Sequence, residues 1–320
     1  MTAGAFHPDT LDTLYGLFRA RVAASPDAVA YRQFDESCDG WTAFTWARVA
    51  AEVERWRRAL VKEGLAPGDR VAVMLKNCVE WVIFDQAALS LGLVTVPLYL
   101  DDRPDNAAYI LDHADARLLL VEGRFQHRKL AEIAGSAHQL QRIVSLTSPD
   151  NGLADWSPRF VVAADWLAQA ADTPLPERHL SADLLASIVY TSGTTGRPKG
   201  VMLTHANLLW NAYFASQCAA FGQHETFLSF LPLSHTLERT GGYYLPMLLG
   251  AEVAYARSIA QLAQDLQAIR PTVLISVPRI YERVYGRIQD GLAKKKPIAR
   301  RLFDLAVRVG WRRFEHAQGV

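Results

Sequence analysis

Strand-like and helix-like segments alternate along the first part of the chain. Residues 70–75 have the composition of a short buried strand, residues 81–91 are mostly apolar over helical length, and residues 94–98 again have the composition of a buried strand. A helical pattern over 106–113 and an apolar run over 118–122 continue the alternation. Because such alternation is typical of strand–helix–strand units, the sequence predicts an α/β fold with a doubly wound, mostly parallel sheet.

The length of the chain predicts more than one packed unit. A chain of 320 residues exceeds what a single hydrophobic core usually organises. Residues 148–176 are rich in Asp, Pro and Ser and show no periodicity, which indicates a connection. We therefore predict an amino-terminal α/β subdomain over 1–150, a connection over 151–176, and a second α/β subdomain over 177–320.

Composition excludes several other classes of protein. Hydrophobic residues make up 50% of the chain and the net charge is +1, which gives no overall attraction to nucleic acid. The three cysteines are too few and too scattered for a disulfide scaffold or a paired-cysteine metal site. Residues 1–10 lack the pattern of an export signal, and the longest apolar run, 87–100, is interrupted and too short to cross a bilayer. A cytoplasmic protein is expected.

Residues 190–200 concentrate the residue types that bind phosphate. After an apolar strand-like segment at 185–190, they contain three glycines, the hydroxyl groups of Ser and Thr, and Lys199. Glycines let the backbone approach a ligand closely, while successive N–H groups, hydroxyls and one ammonium suit an anion rich in acceptor oxygens. This segment therefore predicts a phosphate-binding loop for a nucleotide.

Spacing excludes the other common glycine-rich loops. Pro198 stands five residues after Gly193, where a Walker A loop requires glycine, and Gly193 has no glycine two positions away as a Rossmann loop requires. Ser192 is flanked by Tyr190 and Thr194 instead of the glycines of a nucleophile elbow.

A second polar segment follows the predicted strand at 226–231. There Pro232 is followed by Ser-His-x-x-Glu, which places His235 and Glu238 at the carboxyl end of a strand, where α/β proteins bind ligands. His235 is the stronger candidate for a site residue. An ion pair of Glu238 with Arg239 or Arg279 would explain that glutamate equally well.

These motifs carry a family resemblance. Residues 190–200 as a whole resemble the phosphate-loop signature of the adenylate-forming (AMP-binding) superfamily, which includes acyl-CoA synthetases, luciferases and peptide-synthetase adenylation domains. The Leu-Pro-Leu-Ser-His-x-x-Glu-Arg segment at 231–239 and the Pro-Arg-x-Tyr-Glu segment at 278–282 look most like long-chain fatty acyl-CoA synthetases. The resemblance implies the stacked, doubly wound, mostly parallel sheets of the synthetase large domain.

The resemblance also implies a two-step reaction and its site. A long-chain fatty acid would be activated by ATP to acyl-AMP and then transferred to coenzyme A, with Mg²⁺ as cofactor. Lys199 and His235 would be catalytic, and Thr191 would offer its hydroxyl to Mg²⁺ or phosphate. Nucleotide contacts are predicted for Thr191, Ser192, Gly193, Thr194, Thr195, Gly196 and Lys199, and acyl-substrate contacts for His235, Glu238, Gly241 and Gly242.

The chain departs from the family pattern in its last part. Members of the family carry, beyond the Pro-Arg-x-Tyr-Glu segment, a Tyr-Gly-x-Thr-Glu motif, an aspartate for the ribose and a small carboxy-terminal lid with a lysine; residues 285–289 do not fit that motif. We therefore expect an incomplete large domain without the lid, with weak or no activity alone. Two alternatives stay open: a non-catalytic nucleotide- or acyl-binding module, and an adenylation domain for another carboxylate.

The carboxy-terminal segment is basic. Eleven Lys and Arg oppose four Asp and Glu in residues 279–320. Such a run indicates a solvated helix face, and attraction to the anionic inner face of a membrane is the second interpretation. Small-molecule substrates are the expected partners, and a homodimer stays open.

Overall fold

The computed structural model describes residues 6–123, 139–148, 159–191 and 196–319. By the contacts between Cα atoms, the chain divides into one unit over Met1–Ile275 and a second over Ser276–Val320. The strands, all in the first unit, are β1 (Val29–Asp35), β2 (Gly40–Thr45), β3 (Arg70–Met74), β4 (Val94–Pro97), β5 (Ala116–Val121), β6 (Arg142–Ser145), β7 (Phe160–Val162), β8 (Leu185–Thr191), β9 (Lys199–Thr204), β10 (Thr226–Ser229) and β11 (Glu252–Tyr255).

The helices of the first unit are α1 (Leu14–Ala24), α2 (Trp46–Lys62), α3 (Val79–Ser90), α4 (Pro104–His113), α5 (Ala163–Ala168), α6 (His205–Ser216), α7 (Thr236–Arg239), α8 (Leu245–Leu249) and α9 (Leu262–Ile269). A π-helical turn over Thr240–Tyr244 joins α7 to α8. The second unit contains α10 (Pro278–Ala293) and α11 (Pro297–Ala317).

Within the described residues, the strands form two mostly parallel sheets. One has seven strands in the order β7-β6-β5-β3-β4-β8-β9, and the other has four in the order β10-β11-β1-β2. Only β9 and β2 run antiparallel to their neighbours. The predicted α/β class with a doubly wound, mostly parallel sheet is therefore confirmed.

Side chains pack against both faces of the seven-stranded sheet. Along β3, Val71 and Val73 belong to the main hydrophobic core, whereas Ala72 and Met74 belong to a second core that includes Ile110 of α4. Successive side chains of a strand point to opposite faces, so this alternation places a core on each side of the sheet. Helix α3 is buried along almost its whole surface and contacts β4 of this sheet and β1 of the other.

Both sheets combine strands from before and after the predicted connection at 151–176. Strand β8 pairs with β4, and β1 pairs with β11. Within the connection itself, residues 160–168 form β7 and α5, while 151–158 lie outside the described residues. The division into subdomains 1–150 and 177–320 stays a prediction.

Local sequence signals explain where several helices begin. The Thr45 hydroxyl accepts a hydrogen bond from the Arg48 N–H and caps α2. At α6, Thr204 and Asn207 form a reciprocal capping box. Residues 272–277 have a composition that predicts a further strand, but in the structure they form only an isolated parallel bridge between Val273 and Phe227. The N–H groups of Thr272 and Val273 both donate to the carbonyl of Thr226, which does not build the alternating ladder of a strand.

The second unit consists of two amphipathic helices. In α10 the apolar residues Tyr281, Val284, Tyr285 and Ile288 recur at helical spacing and are exposed. Among the residues that the structure describes, no helix combines the length and apolar composition that crossing a membrane requires. Peripheral membrane contact and a homodimer stay predictions.

Candidate active site

The predicted phosphate loop connects the two strands of an antiparallel hairpin. Thr191, at the end of β8, lies directly opposite Lys199, at the start of β9. Both side chains are exposed, and no hydrogen bond or ion pair joins the Lys199 ammonium to another described residue. The hairpin therefore presents a hydroxyl and an exposed ammonium side by side. The remaining loop residues predicted to contact phosphate, Ser192, Gly193, Thr194 and Thr195, lie outside the described residues.

The residues around this loop also fit a close turn. Gly196 has a φ of +101°, a conformation that residues with a side chain rarely adopt. Strand β8 runs parallel to β4, so its carboxyl end lies at the edge of the sheet where α/β proteins bind ligands. The position of Thr191 and Lys199 therefore agrees with a ligand site.

Both sides of the loop are anchored on helix α4. The Tyr190 hydroxyl lies 2.7 Å from Nδ1 of His113. On the other side of the loop, the Arg197 guanidinium lies 5.2 Å from the centre of the Tyr109 ring. Burial raises the pKa of Tyr190 to about 12, so the phenol that bonds the imidazole keeps its proton at neutral pH.

His235 lies at the start of the short helix α7. Its Nδ1 accepts a hydrogen bond of 3.2 Å from the Leu237 N–H, and its side chain is exposed. Because Nδ1 is an acceptor, the neutral imidazole carries its proton on Nε2. His235 can therefore donate a hydrogen bond from Nε2 to an anionic oxygen of a ligand.

Glu238 lies in the interior instead of at an open surface. One of its carboxyl oxygens accepts a hydrogen bond of 2.6 Å from the Ser229 hydroxyl, and the other has no partner among the described residues. Burial raises the pKa of Glu238 to about 8, so the group is largely protonated at neutral pH. The predicted contact of Glu238 with an acyl substrate stays a prediction.

The ion pair between Glu238 and Arg239, which the sequence left open as an explanation of this glutamate, does not form. The Arg239 guanidinium is buried and donates to Asp85 at 2.6 Å, to Ser187 at 2.6 Å and to Thr95 at 2.8 Å. Reasoning from the sequence missed these three partners. The signal for one of them was present, because Asp85 interrupts an otherwise apolar helical run.

Gly241 and Gly242 lie in the π-helical turn after α7, and both are buried. A Cβ atom on Gly242 would lie 2.2 Å from a carboxyl oxygen of Glu238, and one on Gly241 would lie 3.3 Å from the Ile275 side chain. The two glycines thus leave room for neighbouring side chains, and their predicted acyl contacts stay predictions.

A cleft of about 210 Å³ opens at the carboxyl ends of β3, β4, β10 and β11. The lining includes Asn77, Tyr99, Asp101, Phe230, Ser234 and Arg257. A larger cavity of about 720 Å³ lies between α1, α2 and residues 175–180, away from the carboxyl ends of the strands. We assign the smaller cleft to the candidate site because parallel strands of both sheets end there. Ser234, in its wall, directly precedes His235.

The sequence is similar to those of known enzymes. The sequence profile of a family described as AMP-binding enzyme matches residues 18–309. The peroxisomal long chain acyl-CoA synthetase 7 of Arabidopsis thaliana is 31% identical over 270 residues, which cover 82% of this chain and 38% of the relative. The long-chain-fatty-acid–CoA ligase FadD15 of Mycobacterium bovis is 31% identical over 273 residues, which cover 84% and 44%. This chain thus spans less than half the length of either relative.

Solved structures share the same fold. The adenylation domain of a carboxylate reductase from Mycobacterium chelonae superposes with a TM-score of 0.75 at 21% identity, covering 89% of this chain and 49% of that chain. At this level of identity the likeness concerns the fold alone. It confirms the predicted stacking of two mostly parallel α/β sheets as in the large domain of adenylate-forming enzymes.

Proposed function

Because the chain belongs to the AMP-binding enzyme family, we propose that it provides the ATP- and carboxylate-binding part of a long-chain fatty acid–CoA ligase. In the first step, a carboxylate oxygen of the fatty acid attacks the α-phosphorus of ATP, and the bond to pyrophosphate breaks. In the second step, the sulfur of coenzyme A attacks the carbonyl carbon of acyl-AMP and its proton is released to water. The bond from that carbon to the phosphate oxygen breaks, and AMP leaves. The names of the relatives with 31% identity support the long-chain substrate.

The observation that carries this proposal is the Thr191–Lys199 pair at the ends of the loop. An exposed ammonium beside a hydroxyl suits the terminal phosphates of ATP, whose charge must be balanced while the α-phosphorus is attacked. Lys199 would hold the phosphates, and the Nε2–H of His235 would donate to the carboxylate or the acyl-phosphate oxygen. In this proposal the acyl chain contacts the segment that contains Gly241 and Gly242.

In this proposal Mg²⁺ is bound mainly by the phosphates of ATP. Among the described residues, no group of three His, Cys, Asp or Glu is placed to hold a metal ion. Mg²⁺ is commonly bound through substrate phosphates and only one or two protein oxygens. The ion would therefore arrive with ATP and neutralise phosphate charge, with the exposed hydroxyl of Thr191 as the oxygen that this chain offers.

Lys199→Ala tests the proposed phosphate site. Loss of a charge-assisted contact is expected to weaken binding of Mg·ATP about tenfold or more in calorimetric titration. Lys294→Ala, which removes an exposed lysine of the second unit, serves as the matched control and is expected to leave the affinity unchanged. Equal affinities of Lys199→Ala and the unsubstituted chain would contradict the role of Lys199.

The alternatives predict different outcomes of a turnover assay. Pyrophosphate release with Mg·ATP and palmitate supports the ligase proposal, and a series of carboxylates of increasing length tests the substrate class. A preference for short or aromatic acids would favour adenylation of another carboxylate, in line with the fold shared with the carboxylate reductase domain. Because weak or no activity is expected of this chain alone, the same assay is repeated with the Tyr-Gly-x-Thr-Glu segment and the lid of a relative supplied. Binding of Mg·ATP without pyrophosphate release even then would favour a nucleotide-binding module.

A further inference from the structure

Asn77 reaches from the end of one sheet to the loop that precedes His235. It follows β3 closely, and its side-chain amide contacts the segment between β10 and α7. The Nδ2 group donates to the carbonyl of Leu231 at 2.6 Å and to the Ser229 hydroxyl at 2.9 Å. The Oδ1 atom accepts from the N–H of Leu233 at 2.9 Å. One side chain therefore bonds both backbone groups that flank Pro232.

The segment between β10 and α7 is not part of the regular secondary structure. Residues 230–235 belong to no helix or strand, and Pro232 has no N–H to donate. The side-chain amide of Asn77 has the donor and acceptor of a peptide group, so it substitutes for a neighbouring strand at this point. The His235 N–H then donates to the Pro232 carbonyl at 2.9 Å, which links the held segment directly to His235.

The hydrogen bonds continue into the interior in one direction. The Asn77 amide donates to the Ser229 hydroxyl, and that hydroxyl donates to the carboxyl group of Glu238 at 2.6 Å. The same carboxyl group packs closely against Gly242, where a Cβ atom would lie 2.2 Å from its oxygen. The chain of bonds thus joins the loop to a buried side chain of α7 itself.

We propose that Asn77 is a positioning residue that fixes the backbone on either side of Pro232 and thereby the wall of the cleft and the imidazole of His235. Asn77 itself lines the cleft together with Phe230, Pro232 and Ser234. The assignment of an acyl-adenylate as the ligand at this wall rests on the proposed function. The bonds themselves do not depend on it.

Hydrogen exchange measured by mass spectrometry tests the positioning role without any ligand. In Asn77→Ala we expect amide exchange in residues 229–238 to rise at least about tenfold, since the bond to Leu233 is lost and its neighbours are released. In Asn77→Asp, which has the same shape, a carboxylate oxygen would face the Leu231 carbonyl, and we expect a similar rise.

Asn207→Ala is the matched control for loss of stability. It removes the amide that accepts from the Thr204 N–H at 3.0 Å in the capping box of α6. Exchange is expected to rise at the start of α6 and to stay unchanged in 229–238. Unchanged exchange of 229–238 in Asn77→Ala, or the same change in Asn207→Ala, would overturn the proposal.

Ligand binding separates this proposal from the proposed function. For Asn77→Ala, which adds no charge to the cleft, we expect binding of a hydrolysis-resistant acyl-adenylate analogue to weaken about tenfold, clearly more than binding of Mg·ATP. Equal weakening for both ligands would overturn the specific positioning role. If the unsubstituted chain binds neither ligand, the proposed function fails, whereas the exchange measurement still decides the role of Asn77.

Discussion

The carboxyl group of Glu238 is enclosed by protein, with one oxygen bonded to Ser229 and the other without a partner among the described residues. Enclosure disfavours the charged form, and burial raises the pKa of this group to about 8 from an ordinary value near 4.5. Between these two values the folded chain keeps a proton that the unfolded chain releases. The contribution of Glu238 to stability is therefore complete below pH 4.5 and is lost as the pH rises through about 8.

Glu238→Gln should remove this dependence on pH. The free energy of unfolding of the unsubstituted chain is expected to fall by a few kcal/mol between about pH 5 and pH 9 through this group, and the glutamine variant should show a flatter profile. Urea unfolding at several pH values measures both. Glu282→Gln, at an exposed position of α10, is the control. Parallel profiles for Glu238→Gln and the unsubstituted chain would show that the carboxyl group titrates normally.

At the scale of elements, the π-helical turn between α7 and α8 depends on small residues. Both Gly241 and Gly242 are buried in this turn, and Gly242 faces the carboxyl group of Glu238 at a distance that no Cβ atom tolerates. The turn therefore brings two helical segments close to a buried polar group that a larger residue would displace.

Gly242→Ala is expected to destabilise the chain by about 1–3 kcal/mol, because the added methyl group has to displace Glu238. Gly286→Ala is the matched control, since a Cβ atom there meets no other atom within 4 Å. In the interior of α10 this change is expected to stabilise the helix by about 0.5–1 kcal/mol. Thermal unfolding followed by circular dichroism measures both, and a stability of Gly242→Ala equal to that of the unsubstituted chain would contradict the packing argument.

At the scale of the whole molecule, Arg239 joins elements of both sheets. It lies in α7, which follows β10 of the four-stranded sheet, and it bonds Thr95 of β4 and Ser187 of β8 in the seven-stranded sheet. Asp85 balances its charge, and the other oxygen of Asp85 accepts from the hydroxyl groups of Tyr243 and Tyr244. A buried network of this kind specifies one arrangement of the elements that it connects.

Arg239→Met should destabilise the first unit by about 3–5 kcal/mol, because Asp85 would remain as a buried charge without its partner. The double variant Asp85→Asn/Arg239→Met is expected to recover part of that loss. Arg103→Met, which breaks an exposed pair with Asp105, should change stability by less than about 1 kcal/mol. Urea unfolding measures the stability of all three variants. An Arg239→Met variant as stable as the unsubstituted chain would contradict the stabilising role of the Arg239 network.

The sequence alone predicted the features that depend on neighbouring residues. The fold class and the family resemblance are confirmed. Each rests on periodicity or on a motif within about ten residues of chain, where local conformational preference and side-chain spacing determine the outcome. The roles of Lys199 and His235 stay predictions, because the geometry is consistent with them but no ligand contact tests them.

Tertiary structure decided the features that need distant partners. Asn77 meets residues more than 150 positions away, Arg239 pairs with Asp85 instead of Glu238, and β1 pairs with β11. The sequence around a polar residue does not indicate which distant group will form its hydrogen bonds or whether water will be excluded around it. Those outcomes depend on how the two sheets and α3 pack, and packing is a property of the folded chain as a whole.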